Sequence, residues 1–329
     1  MLFKDDEVAR VDALAVRNDA GWYRWTHDTV DVVGPDSTAL LDKLLVNTVA
    51  LCKVGREKYT TMLDDEGRIV DDLMAIHLEE NHWWLSTLYG PQMIKWLDER
   101  GQGFDVSYSD ITATVDMFSV QGPRSAEVMD KLLDAPVDEL KRFQIADATV
   151  AGIPVRVDRG GFTGELGYEI YCSRSDSARI SELLRSTGIR ELQTLEVFVR
   201  SLPMEKGMAL RQDYHFLTPF EANLGWSVHF DKKGDFIGRA ALEKAQEGGP
   251  RYAFVGVEME CESYEDICQN EIVRKRGVPV GKCRQMIYGY TVDKNIGFAI
   301  VDAEKCPIGT RVTIGPNDSP AVIVTPKWC

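Results

Sequence analysis

Basic residues are in the minority in this chain: 38 Lys and Arg stand against 52 Asp and Glu, a net charge of -14. A nucleic-acid surface needs a cationic face to meet phosphate, so no nucleic-acid partner is expected. Long apolar runs are missing as well. None approaches the length of a membrane-spanning helix, and no membrane partner is expected. Residues 1–10 are charged and lack the apolar core of a secretion signal, which makes the cytoplasm the expected location. The seven cysteines (Cys52, Cys172, Cys261, Cys268, Cys283, Cys306 and Cys329) show neither zinc-knuckle nor redox-pair spacing and read as reduced thiols. The five histidines (His27, His77, His82, His215 and His229) form no ligand pattern, so no metal is expected. There is no internal repeat and no strand–GxGxxG–helix unit, so a dinucleotide cofactor is not expected either.

What is present is an ordinary globular composition, 44% apolar and 27% charged over 329 residues, enough for two or three domains. The most informative stretch runs from Tyr59 to Met74. Tyr59 to Leu63 is rich in β-branched and aromatic residues, Asp64-Asp65-Glu66-Gly67 supplies turn chemistry, and Arg68 to Ile76 returns as an apolar strand. Asp71 and Asp72 interrupt that return strand. Alternation puts Asp72 on one face with Val70, Met74 and Ile76, and Asp71 on the other with Ile69, Leu73 and Ala75. Both faces look buried, so both carboxylates need partners. A salt-bridged pair at a strand end and a carboxylate held in a ligand pocket both fit this pattern.

A second stretch, Arg159 to Tyr171, holds Gly160, Gly161, Gly164 and Gly167 between the expected strands Ile153–Val157 and Tyr168–Tyr171. Glycines there let backbone approach a neighbour closely. Glu169 points away from Tyr168 and Ile170, and a carboxylate so placed can grip paired N–H donors of a heterocycle or close an ion pair.

Elsewhere, helical spacing predicts helices over residues 5–20, after Asp36-Ser37 (Leu40, Leu41, Leu44, Leu45), from Pro91 to Arg100, from Ser125 to Leu133, over 176–188 and from Asp235 to Lys244. Strands are expected at Val30–Val33, His82–Leu88 and Thr112–Val120, and a linker at Gln246–Pro250. Beyond it, five short glycine-punctuated β segments between Ala253 and Thr325 read as a small β-barrel or sandwich. The class is α+β without a long βαβ series.

Taken together, Val33-Gly34-Pro35-Asp36, Asn47, Tyr59 to Leu73, Val120-Gln121-Gly122-Pro123, Arg159 to Tyr171, Thr218 to Trp226 and Asp235 to Leu242 resemble the glycine cleavage T-protein (aminomethyltransferase) family, which includes folate-dependent demethylases. The resemblance covers nearly the whole chain in order. It implies a three-domain cloverleaf with antiparallel sheets, a small C-terminal β-barrel-like domain and tetrahydrofolate in the central opening. The expected units are 1–45 plus 125–245, then 46–124, then 251–329. Asp72 matches the carboxylate beside the reacting nitrogens of folate, and Glu169 the one that binds the pterin. Tyr59 and Phe162 match pocket aromatics, with Asp71 beside them. Ser86 stands where the family has asparagine. Lys206, Arg200, Arg211 and Arg239 are candidates for the folate glutamate tail.

The chain also departs from the family. Thr26-His27 replaces His-Met, and the Ala-Arg-Asp before Glu205-Lys206-Gly207 is missing, with only Arg200 nearby. His27 is the candidate acid on the donor side. These departures lead us to expect a demethylase, moving a methyl group from a small-molecule donor to tetrahydrofolate. The alternative is an aminomethyltransferase acting on a lipoyl carrier protein. A non-catalytic folate-binding protein of iron–sulfur maturation is disfavoured, because Lys206-Gly207-Met208-Ala209 lacks that branch's cysteine.

Overall fold

A computed structural model of the chain describes residues 2–136, 139–264, 267 and 269–329, so Cys268 lies outside the described residues. In chain order, α1 (Glu7–Asn18) leads to β1 (Gly21–Arg24), β2 (Asp28–Val33) and α2 (Ser37–Leu44). Then come β3 (Arg56–Leu63), β4 (Ile69–Glu79), β5 (His82–Thr87), α3 (Gly90–Arg100), β6 (Ser107–Asp110) and β7 (Val115–Gln121). They are followed by α4 (Ser125–Leu132), β8 (Ile145–Val150), β9 (Ile153–Asp158), β10 (Gly167–Ser173), α5 (Ser177–Ser186) and β11 (Arg190–Glu191). Short helices α6 (Leu202–Glu205) and α7 (Arg211–Tyr214) precede α8 (Arg239–Gly248). The C-terminal strands are β12 (Tyr252–Met259), β13 (Ile272–Lys275), β14 (Val278–Gly289), β15 (Lys294–Asp302), β16 (Arg311–Ile314) and β17 (Ser319–Val324).

The strands sort into three bodies. One sheet runs β11-β1-β7-β10-β9-β8, a second β3-β4-β5-β2-β6, and the C-terminal strands close a barrel in the order β12-β15-β14-β13-β16-β17. The class is α+β as expected, and the tail is a barrel rather than a sandwich. Pairing moves two strands across the expected division. β2 pairs with β5 and β6 in the second sheet, and β7 pairs with β1 and β10 in the first. The chain therefore crosses between sheets near residues 25–27 and 111–114, not at 45/46 and 124/125. The expected linker at Gln246–Pro250 is mostly helix, because α8 continues to Gly248. Ala245, Gln246 and Glu247 are good helix formers, and the helix stops only where Gly249 takes positive φ before Pro250.

Local signals explain the elements nearest the site. Asp6 caps α1 by accepting from the Ala9 N–H at 2.9 Å, and Ala9, Ala13 and Val16 form its buried stripe. Gly67, at φ +75°, closes the β3–β4 turn in a conformation that side chains resist. Gln121 threads between Gly161 and Gly167, where any Cβ would overlap its amide, and it donates to Ser119 Oγ at 2.9 Å and to the Gly160 carbonyl at 3.1 Å. The glycines of the Arg159–Tyr171 loop thus receive a buried glutamine, which anchors the loop to β7. Arg17 ties α1 to two other segments, pairing with Glu205 and Glu165 at 2.9 Å each while almost fully buried.

The two sheets meet face to face. Ile76 and Trp84 of the second pack with Met117, Ile145 and Tyr171 of the first, and Met74 joins the cluster. Whatever else lies on these two faces looks into the same interface.

Candidate functional site

Register decides which side chains reach this interface. In the β3–β4 pair, Thr61 lies opposite Asp72, Tyr59 opposite Met74 and Glu57 opposite Ile76. Ser86 lies opposite Met74 and Trp84 opposite Ile76. One face of the second sheet therefore presents Glu57, Tyr59, Thr61, Asp72, Met74, Ile76, Trp84 and Ser86 in alternation. On the first sheet, Glu169 lies opposite both Ser119 and Asp158, so these three share a face with Tyr171.

Asp72 sits at one end. Tyr59 Oη donates to Asp72 Oδ2 at 3.0 Å, and Tyr214 Oη lies 3.5 Å from Tyr59 Oη. Tyr59 stacks on Trp226, ring centroids 5.4 Å apart, and Trp226 is largely exposed. Burial raises the Asp72 pKa, while hydrogen bonds from Tyr214 and Tyr59 and the charge of Arg211 work against the rise. Arg211 itself lies over the Tyr89 ring, 3.7 Å from its centroid. Asp71 points to the opposite face, buried, where it accepts from Thr87 Oγ1 at 2.7 Å. Burial, then the Asp72 charge, pushes its pKa up to about 7. Strand geometry thus separates the two adjacent acids, one turned to the interface and one bonded into the sheet.

His27 and Ser86 meet beside this end, with Nδ1 and Oγ sharing a 2.7 Å hydrogen bond. His27 also packs edge-on against Trp25. Burial pushes the His27 pKa down to about 4, so near neutrality the ring acts as an uncharged N–H donor or acceptor and not as an imidazolium acid.

Glu169 marks the other end and is buried. It accepts long hydrogen bonds from Ser119 Oγ at 3.4 Å and Tyr171 Oη at 3.3 Å. Burial raises its pKa to about 7. Two residues not singled out in the sequence stand beside it: Glu57, raised to about 8 by burial and then by Glu169, and Asp158, raised well above the usual range by burial and then by Glu57 and Glu169. One further alternation step from Tyr59 would have found Glu57. Tyr214, in a four-residue helix of an irregular segment, carries no periodic signal.

The remaining candidates are engaged elsewhere. Arg200 pairs with Asp213 at 3.2 Å, Lys206 with Glu165 at 3.1 Å, and Arg239 with Glu243 at 2.9 Å on α8. Phe162 is half-buried in the glycine loop. Among the described residues, no group of three or more His, Cys, Asp or Glu is placed to hold a metal ion, and no helix is long and apolar enough to cross a membrane.

Fold and site together define a protein of two facing sheets, antiparallel but for the β1–β11 pair, and a barrel, with an interface that ends in a tyrosine-supported aspartate and a buried glutamate. The chain matches the GCVT N-terminal domain over residues 3–232 and the glycine cleavage T-protein C-terminal barrel domain over residues 253–328. It is 33% identical over 318 residues to an aminomethyltransferase of Bacillus subtilis, covering 91% of this chain and 84% of that protein. Against an aminomethyltransferase of Geobacillus kaustophilus it is 33% identical over 313 residues, covering 91% and 84%. The glycine cleavage system aminomethyltransferase T of Bartonella henselae has the same fold, with TM-score 0.87 at 24% identity, covering 96% of this chain and 88% of that one. The chain belongs to the glycine cleavage T-protein family and is an enzyme, a transferase, with the three-domain T-protein architecture.

Proposed function

We propose that the protein transfers a one-carbon unit to tetrahydrofolate, and that the unit is the aminomethyl-derived methylene delivered on a lipoyl carrier protein. The supporting observation is the interface itself, with Asp72 at one end and Glu169 at the other, in a chain whose relatives at 33% identity are aminomethyltransferases. This reverses the order of the two readings expected from the sequence.

The residues present fit a reduced folate. Glu169 accepts only two long hydrogen bonds and has acceptor capacity left for paired N–H groups of a pterin. Tyr59 and Trp226 offer aromatic faces beside Asp72. Tetrahydrofolate supplies a nucleophilic ring nitrogen that takes up the carbon. Asp72, held by Tyr59, orients that nitrogen and stabilises positive charge developing there. His27 and Ser86 lie on the donor side, where a neutral imidazole N–H can steady a leaving group.

A second reading, methyl transfer from a small methylated donor, rests on the 2.7 Å His27–Ser86 pair, since both residues depart from the family pattern. Titration calorimetry with tetrahydrofolate tests what the two readings share. Saturable binding is expected, and no heat and no competition at high concentration would contradict both.

A further inference from the structure

The Glu169 end of the interface carries more acid than one pterin-binding glutamate requires. Glu57, Asp158 and Glu169 come from β3, β9 and β10, and each is at least nine-tenths buried. Among the described residues, none is paired with a cation. Glu169 meets Ser119 and Tyr171, and the charges acting on Glu57 and Asp158 come from the cluster's own acids. Arg156, on the same strand face as Asp158, is engaged by Asp147 at 3.0 Å and lies over Trp84. Arg159 donates to the Leu140 carbonyl. Gln121, from β7, spends its amide on Ser119, Gly160 and Thr163.

The Asp158 carboxyl accepts from Tyr171 and from the Glu169 N–H, yet its Oδ1 is buried and has no hydrogen-bond partner among the described residues. It lies against Gly160: a Cβ built there would stand 2.9 Å from Asp158 Oδ1 and 3.3 Å from Glu57 Oε1. A side chain at Gly160 would overlap Asp158 Oδ1 and crowd Glu57 Oε1, so glycine is what lets both oxygens stand there. Buried acceptors normally find donors, and an orphaned one in a group of like-charged neighbours marks where a donor is missing.

We propose that Glu57 and Asp158 join Glu169 in a three-carboxyl clamp for the donor-rich pyrimidine edge of a reduced pterin, whose N–H groups complete the hydrogen bonding of Asp158. This rests on the folate reading above and extends it to two specificity-determining residues. The chemistry follows from hydrogen-bond capacity. A 2-amino-4-oxo pyrimidine edge offers an amino group and ring N–H groups as donors beside ring acceptors. Ionised carboxylates take the donors, and a carboxyl that keeps its proton gives it to an acceptor. Filling the clamp changes how many protons the three groups hold, because donors arriving at an ionised oxygen favour that form.

The test is calorimetry with two probes, tetrahydrofolate and 6,7-dimethyltetrahydropterin, the latter presenting the head without the aminobenzoyl-glutamate tail. Each is titrated near pH 7 in two buffers of unlike ionisation heat, so that protons exchanged on binding are counted. The wild type should bind both probes and exchange protons. Glu57→Gln and Asp158→Asn should each weaken both probes about tenfold or more and change the proton count. Both substitutions keep shape and remove one titrating carboxyl from a crowded group, so each variant should melt no lower than wild type, and if one fails to fold the other decides. Folate bound equally by wild type and variants, with equal proton counts, overturns the clamp and leaves the folate reading intact. Binding of the head alone, weakened in the variants, keeps the clamp and overturns the folate reading. Binding of neither probe overturns both.

Discussion

The two ends of the interface treat their carboxyl groups differently. At the Asp72 end a single acid faces the interface, supported by Tyr59 and by the nearby charge of Arg211, while its neighbour Asp71 is turned away into the sheet. At the Glu169 end three acids converge, no cation among the described residues is paired with any of them, and the buried Asp158 Oδ1 is unpartnered among them. The first arrangement aims hydrogen bonds and a cation's charge at one carboxyl group, which favours its charged form against burial, as charge development in a transition state requires. The second disfavours negative charge until a ligand supplies donors, as selective binding requires. On this account, damage at the first end slows turnover and damage at the second weakens binding.

The largest effect that would break this comparison is expected at Asp72. Asp72→Asn should slow transfer about 100-fold or more while tetrahydrofolate affinity stays within about threefold, because the lost stabilisation belongs to the transition state. Single-turnover rates beside equilibrium titration separate the two quantities, and a parallel loss of affinity would make Asp72 a binding residue instead. Next in size, Glu169→Gln should weaken folate binding by roughly 1.5–3 kcal/mol as a charge-assisted pair becomes neutral. Its rate at saturating folate should change far less.

A smaller effect is expected on the donor side. His27→Ala should lower kcat about tenfold with one class of donor and leave folate affinity unchanged. Comparing kcat across donors at saturating folate checks this, and an equal loss with every donor would make His27 a structural support of Ser86.

A last effect, on stability and not on rate, sharpens the contrast through pH. Glu57 and Glu169 have folded-state pKa values raised to about 8 and about 7. Between their unfolded values and these, the folded chain binds more protons than the unfolded one, so their contribution to stability falls as pH rises. His27, lowered to about 4, works the other way, adding stability as pH rises, but only below its ordinary value near 6.5. From about pH 6.5 to 8 the raised acids dominate, and the ligand-free protein should lose stability by up to about 1.4 kcal/mol per pH unit for each extra proton held. Melting curves across that window should fall for wild type and flatten for Glu57→Gln. A rising curve would mean that the cluster is ionised and paired.

Much of this was legible in the residues. Alternation in Arg68 to Ile76 separated Asp71 from Asp72 correctly, and the turn at Asp64 to Gly67 located the hairpin. The same alternation runs on from Tyr59 to Glu57. What stayed hidden depends on contacts distant in sequence. Nothing local tells β2 to pair with β5, or β7 with β10, so the sheets divide the chain at other places than the expected units do. Both faces of β4 looked buried because an apolar pocket wall and a core face share one composition. Only the structure distinguishes Asp71 bonded to Thr87 from Asp72 bonded to Tyr59. Arg200 and Lys206 looked like available cations, but Asp213 and Glu165, far from them in the sequence reading, hold them in ion pairs.

The most direct test of the account is a side-by-side transfer assay. The protein is incubated with tetrahydrofolate and either an aminomethyl-loaded lipoyl carrier protein or a panel of methylated amines, sulfonium compounds and methoxy-aromatics, and the folate products and ammonia are quantified. The account predicts folate-dependent release of ammonia and methylene-tetrahydrofolate with the carrier, lost in Asp72→Asn. Product from a methylated small molecule alone would move the chain to the demethylase reading. No folate product from any donor, with the protein folded and folate present, would contradict the claim that it transfers one-carbon units to tetrahydrofolate.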